Sequence, residues 1–70
     1  MPEYRSKVRG LRERQGMTQR QLADAVGVDP STVRNWESGR NAVSGLVRVH
    51  RLCEALNADP ADLYEEIPEM

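Results

Sequence analysis

Apolar residues recur along the chain at the three- and four-residue spacing of amphipathic helices. Tyr4, Val8 and Leu11 begin this pattern, since side chains three or four positions apart share one helix face. Four later segments repeat it, and no run alternates between apolar and polar residues as a half-buried strand does. The pattern therefore predicts an all-α fold, a compact bundle of about five short helices.

Capping residues and a glycine mark two of these helices. Thr18 opens the sequence T-Q-R-Q, which fits a capping box at a helix start. Gly27 follows at the position where a left-handed residue commonly ends a helix. Asp29 and Pro30 then supply a cap and a residue preset for the first helical position. Two short helices joined by a tight turn predict a helix-turn-helix over residues 18–38.

Two further helices are predicted beyond this unit, over residues 44–57 and 60–66. Ser44 is the candidate cap of the first, and Asp59 followed by Pro60 starts the second. The buried seam predicted for the first comprises Leu46, Val49, Leu52, Cys53 and Leu56.

Length and charge add two constraints. Seventy residues allow one domain, residues 1–70, because so short a chain has little surface to bury. Residues 1–40 hold eight basic and five acidic residues, a net charge of +3, while residues 41–70 hold two basic and six acidic residues, a net charge of −4. This asymmetry is typical of a protein whose N-terminal part binds an anion, but solvated helix faces with no partner give the same distribution.

The residue types present argue against membrane, metal and enzyme chemistry. No apolar run approaches the ~20 residues of a membrane span. A lone cysteine and a lone histidine, Cys53 and His50, form neither a disulfide nor a zinc site. Cys53 falls on the apolar seam, which favours a small buried thiol over a nucleophile paired with His50. We expect a cytoplasmic protein that is not an enzyme and uses no metal or cofactor.

Two ordered motifs carry a family resemblance. They are T-Q-x-x-L-A-x-x-x-G-V from Thr18 to Val28 and W-E-x-G-R from Trp36 to Arg40. From about residue 8 to residue 64 the chain resembles the Cro/repressor-type helix-turn-helix proteins, also called the XRE family. This resemblance implies a lambda-repressor-like DNA-binding domain that binds operator DNA, usually as a dimer.

The second helix of the helix-turn-helix is the candidate reader of DNA bases. Arginine suits guanine and asparagine suits adenine in bidentate geometry, which makes Ser31, Arg34 and Asn35 candidates. Arg34 is also suited to gripping a phosphate. The resemblance places Pro30, Ser31 and Asn35 at base-reading positions, with only an apolar contact open to Pro30.

Phosphate contacts are expected around the start of the first of these helices and just after the second. A helix N-terminus offers amide hydrogens and a positive dipole end to an anion, and the resemblance gives Gln19 the same role. The resemblance also places the segment just after the second helix along the DNA backbone. The predicted phosphate-contacting residues are Thr18, Gln19, Ser38, Arg40 and Asn41.

Two predictions concern structure around the site. Glu37 lies one turn beyond Val33 and so faces inward, where an unpaired carboxylate is costly. The resemblance pairs it with Arg12 as a structural ion pair. Because two-fold operators mirror dimer symmetry, we also predict a homodimer anchored by Leu63, Tyr64 and Ile67.

These features predict a sequence-specific regulator of transcription that binds a double-stranded DNA operator and acts as a repressor by occupying it. The alternative is an antitoxin-like or regulatory interaction module, whose acidic C-terminal end, residues 59–70, engages a protein partner while DNA binding is secondary. Duplex binding measured against ionic strength separates the two.

Overall fold

A computed structural model describes residues 3–39 and 45–67 of the chain. In these residues the elements are, in order, β1 (Glu3–Ser6), α1 (Val8–Arg14), α2 (Gln19–Val26), α3 (Pro30–Ser38), α4 (Leu46–Leu56), a 3-10 helix (Pro60–Leu63) and β2 (Tyr64–Ile67). The mostly helical fold is confirmed. The expected number of helices is slightly wrong, because the fifth is a single 3-10 turn that continues as a strand.

The two strands are the main departure from the predicted fold. β1 and β2 pair antiparallel, with Tyr4 opposite Glu66 and Ser6 opposite Tyr64. Tyr4 therefore belongs to a strand and not to the first helix, and the helix predicted over residues 60–66 is wrong beyond Leu63. Segments of four residues are too short to show a period, and the contact that makes them strands joins opposite ends of the chain.

The core lies where α2 packs between α3 and α4. Among the described residues, the buried apolar side chains that fill it are Val8, Leu22, Ala23, Val26, Val33, Trp36, Leu52, Leu56 and Leu63. Leu46, predicted to begin the buried seam of α4, is instead 90% exposed. Val49, one turn later, is the first residue of that seam to pack against the core, so the first turn of α4 extends beyond it.

The helix starts follow the predicted signals in part. Thr18 Oγ1 accepts from the Gln21 backbone N–H at 3.0 Å, and Gln21 Oε1 accepts from the Thr18 N–H at 2.8 Å. This reciprocal pair confirms the capping box. Asp29 precedes α3 in an extended conformation but makes no side-chain cap bond, so Pro30 at the first position is the operative signal there. Ser44 lies outside the described residues.

Candidate nucleic-acid interface

Helices α2 and α3 are joined by a turn of three residues. Gly27 ends α2 at φ 85°, a left-handed conformation that side-chain-bearing residues rarely adopt. The backbone N–H groups of Gly27 and Val28 both donate to the Ala23 carbonyl, at 2.8 and 3.0 Å. The chain therefore reverses within one tight bend, and α3 begins at Pro30.

Helix α3 is held to the core by one face and presents the other outward. Val33 and Trp36 are buried, at 0% and 3% exposure, which gives Trp36 a packing role. The opposite side carries four residues at the helical spacing of one face, Ser31, Arg34, Asn35 and Ser38. Asn35 is half-buried and the other three are exposed. The structure thus brings together the polar residues predicted on this helix.

Two residues on this helix have further constraints. Pro30 is half-buried at the start of α3, where its ring offers only apolar surface. Ser38 donates its hydroxyl to the Asn35 carbonyl at 3.0 Å, a bond within the last turn of the helix. The Ser38 hydroxyl oxygen still has lone pairs, but its hydrogen is already engaged.

A hydrogen-bond network ties α3 to α1 and to the start of α2. Arg12 Nε donates to Glu37 Oε2 at 2.7 Å and Arg12 Nη2 to Glu37 Oε1 at 3.4 Å. The two side chains are only 12% and 7% exposed. The hydrogen bond to Glu37 raises the pKa of the Arg12 guanidinium, a group that stays charged in proteins. The structure places these two residues together as the sequence predicts.

The same network includes Gln19, one of the residues predicted to contact a DNA phosphate. Gln19 Nε2 donates to Glu37 Oε1 at 3.1 Å, and Arg12 Nη1 donates to the Met17 carbonyl at 2.7 Å. The start of α2 is therefore attached to the last turn of α3. Sequence reasoning missed both bonds, since only the inward position of Glu37 hinted that a buried acceptor was available there.

Comparison with known proteins identifies the family. The helix-turn-helix domain family matches residues 3–65, nearly the whole chain. The chain belongs to the helix-turn-helix domain family. The resemblance to XRE-type helix-turn-helix proteins, given by the motifs beginning at Thr18 and Trp36, is thereby confirmed.

Curated relatives of this helix-turn-helix protein include two from Sinorhizobium fredii. The uncharacterized HTH-type transcriptional regulator y4aM is 33% identical over 63 residues, which cover 90% of this chain and 43% of the relative. The uncharacterized HTH-type transcriptional regulator y4wC is 35% identical over 60 residues, covering 86% and 41%. The chain thus spans about two fifths of the length of these relatives.

Solved structures share the fold. The restriction-modification controller protein C.AhdI from Aeromonas hydrophila superimposes with a TM-score of 0.70 at 38% identity, covering 80% of this chain and 83% of that one. A crystal structure of a Bacteroides fragilis protein gives a TM-score of 0.77 at 25% identity, covering 90% and 100%.

The other five predicted site residues of this helix-turn-helix protein follow α3 in the chain. Arg40 and Asn41 lie outside the described residues. Leu63 is 2% exposed and belongs to the core, so its prediction as a dimer anchor is corrected: a side chain already buried in one copy has no area left to bury against another. Tyr64 and Ile67 are half-buried on β2.

The single cysteine of the chain lies at the edge of the hydrophobic core. Cys53 is half-buried against the core, and this burial, together with the charges of Asp59 and Asp62, raises the pKa of its thiol. His50 Nε2 lies 2.8 Å from Glu54 Oε1 on the exposed side of α4. The thiol is therefore ionised less readily than an ordinary cysteine thiol.

Residues 3–39 and 45–67 contain neither a metal-binding cluster nor a membrane-spanning helix. No three His, Cys, Asp or Glu side chains in these segments converge on a point where a metal ion fits. Within the same segments, no helix combines the length and apolar character needed to cross a membrane.

Proposed function

We propose that this helix-turn-helix protein is a cytoplasmic regulator of transcription that binds double-stranded DNA sequence-specifically and represses by occupying its operator. The observation that carries the proposal is the outer face of α3. Its polar residues point away from buried Val33 and Trp36, so the helix can enter a major groove while its inner face stays fixed to the core.

The contacts divide into two classes. The Arg34 guanidinium can make two hydrogen bonds to a guanine edge, and the Asn35 amide can make two to an adenine edge. Ser31 and Pro30 lie on the preceding turn. The start of α2 offers its dipole and the Gln19 amide to a phosphate. The proposal also gives phosphate-contacting roles to Thr18, Ser38, Arg40 and Asn41.

The protein is proposed to act as a homodimer. One small helix-turn-helix module covers a limited area of DNA, and two copies related by a two-fold axis read two half-sites one helical turn apart. Tyr64 and Ile67, on the strand formed near the C-terminal end, remain the proposed anchors of this contact.

Selection of bound sites from random duplexes, followed by fluorescence anisotropy on the selected site and an unrelated one, tests the proposal. Asn35→Ala is expected to relax preference at one or two base pairs, costing about 1–3 kcal/mol on the selected site. Gln19→Ala is expected to weaken both duplexes by the same factor. Asn57→Gly is the matched control. It removes an exposed amide just after α4 and keeps the left-handed conformation of φ 52°, so the affinity of this variant should be unchanged.

A different outcome would favour the second candidate, a protein-interaction module. The observation that favours this candidate is a set of exposed carboxylates on α4, at and within the 3-10 helix, and on β2. They belong to Glu54, Asp59, Asp62, Glu65 and Glu66. If no consensus emerged, and alanine at Asn35, Ser31 and Arg34 left binding unchanged in folded protein, α3 would not be a reader of DNA and the acidic surface would become the candidate interface.

A further inference from the structure

We propose that the largely buried Arg12–Glu37 pair positions Gln19 for contact with a DNA phosphate, in addition to its contribution to stability. The inference rests on the proposed function, since it assigns the pair a part in DNA binding. It arises from the hydrogen bonds that the two ions make beyond each other, to the residues around the start of α2.

The Glu37 carboxylate fixes the Gln19 amide. Glu37 Oε1 accepts from Gln19 Nε2 at 3.1 Å while Oε2 is taken by Arg12 Nε at 2.7 Å. A side-chain amide has two N–H groups, so one is held by the carboxylate and the other remains to donate. With one N–H held, the amide plane is set before DNA arrives, and less rotational freedom is lost on binding.

Arg12 fixes the backbone from which Gln19 extends. Its Nη1 donates to the Met17 carbonyl at 2.7 Å, two residues before Gln19 and just ahead of the Thr18 cap. One guanidinium therefore holds both Glu37, in the last turn of α3, and the segment leading into α2. The distance between the phosphate-binding end of α2 and the base-reading face of α3 is set by this single buried cluster.

Such a distance matters because a helix-turn-helix must satisfy both kinds of contact at once. Phosphate contacts fix the register of a protein on the duplex, and base contacts are made only in that register. A rigid link between Gln19 and α3 therefore makes the phosphate contact part of the recognition geometry.

The double variant R12M/E37M separates positioning from stability. Replacing a buried ion pair by apolar side chains of similar volume is often neutral or stabilising, and the exchange leaves the net charge unchanged. The fold should therefore persist, while Gln19 loses its acceptor and Met17 its donor. We expect a melting temperature near that of the wild type but an affinity about tenfold lower on every duplex, the loss expected for one hydrogen bond to a charged group.

Two further variants complete the test. R9M/E13M removes an ion pair on α1 whose side chains are 71% and 56% exposed, with the same change in charge, and should alter affinity less than about twofold. Gln19→Ala should weaken binding by the same tenfold as R12M/E37M, and the triple variant R12M/E37M/Q19A by no more, because all three act on one contact.

The outcomes distinguish this inference from the proposed function. Wild-type affinity in a folded R12M/E37M variant, or additive losses in the triple variant, would overturn the positioning role while leaving DNA binding intact. Failure of the wild type to bind any duplex would overturn the proposed function and the inference with it.

NMR of the free protein reports the contact itself. The two side-chain NH₂ signals of Gln19 should be well separated and slowly exchanging in the wild type. In R12M/E37M they should return to the values of an exposed glutamine. Unchanged signals would also overturn the inference.

Discussion

Replacing Glu37 by alanine should lower the free energy of unfolding far more than the same change at an exposed glutamate. The substitution removes the acceptor of two Arg12 hydrogen bonds, at 2.7 and 3.4 Å, and of one Gln19 bond at 3.1 Å. Arg12 keeps only its bond to the Met17 carbonyl. A guanidinium cannot neutralise itself by losing a proton, so its charge stays where the carboxylate has been lost.

The magnitude follows from the burial of the pair. Removing one partner of a buried ion pair costs about 3–5 kcal/mol. Arg12 is still 12% exposed and retains its contact with Met17, so we expect the lower end, about 3 kcal/mol. At ~0.05–0.15 kcal/mol per residue, a chain of 70 residues has a total stability of roughly 3.5–10 kcal/mol. The variant should lose roughly three tenths or more of it.

Circular dichroism at 222 nm during thermal and urea unfolding measures this loss. With ~4–8 °C per kcal/mol for a domain of this size, the melting temperature should fall by at least about 12 °C. Glu13→Ala is the control, because Glu13 pairs with Arg9 at the surface and should cost about 0–0.5 kcal/mol. Equal melting temperatures for Glu37→Ala and the wild type would refute the burial argument for this pair.

Three other substitutions or treatments have outcomes set by the structure. Gly10→Ala should stabilise by about 0.5–1 kcal/mol, since an added Cβ in the interior of α1 meets nothing within 4 Å; a lower urea midpoint would contradict this. Gly27→Ala should destabilise by about 1–2 kcal/mol, because φ is +85° and the new Cβ would lie 3.1 Å from Arg51 Nη1; an unchanged midpoint would count against it. Cys53, whose thiol pKa is raised by burial, should react with iodoacetamide more slowly in the folded protein than in urea. The unfolded thiol ionises first, so this group's contribution to stability should fall as pH rises above the ordinary thiol pKa; equal alkylation rates would contradict the raised pKa.

Local signals explain why the helix-turn-helix was predictable from the sequence. The Thr18 capping box acts within four residues, and both of its hydrogen bonds are present in the structure. Gly27 takes the left-handed conformation that its place after α2 requires. The polar face of α3 follows from the spacing of Val33 and Trp36, whose burial leaves the other side of the helix to solvent.

Contacts between distant residues account for what could not be predicted. The pairing of Tyr4 with Glu66 joins segments of the chain with no shared local pattern, so the sequence alone indicates a helix at Tyr4. Leu46 continues an apolar period but lies beyond the reach of α2, where it is 90% exposed. The Gln19–Glu37 hydrogen bond depends on how α2 and α3 pack, which residue spacing does not specify.

The most direct test of the central claim is an amide-resolved NMR titration of the protein with a selected duplex. If the face formed by α3 and the start of α2 binds DNA, the largest shifts should fall on Gln19, Ser31, Arg34 and Asn35. The signals of the exposed acidic residues Glu54 and Asp59, which lie outside the proposed dimer contact, should remain unchanged. Shifts confined to those acidic positions, or no shifts at any DNA concentration up to saturation of a control repressor, would contradict the account.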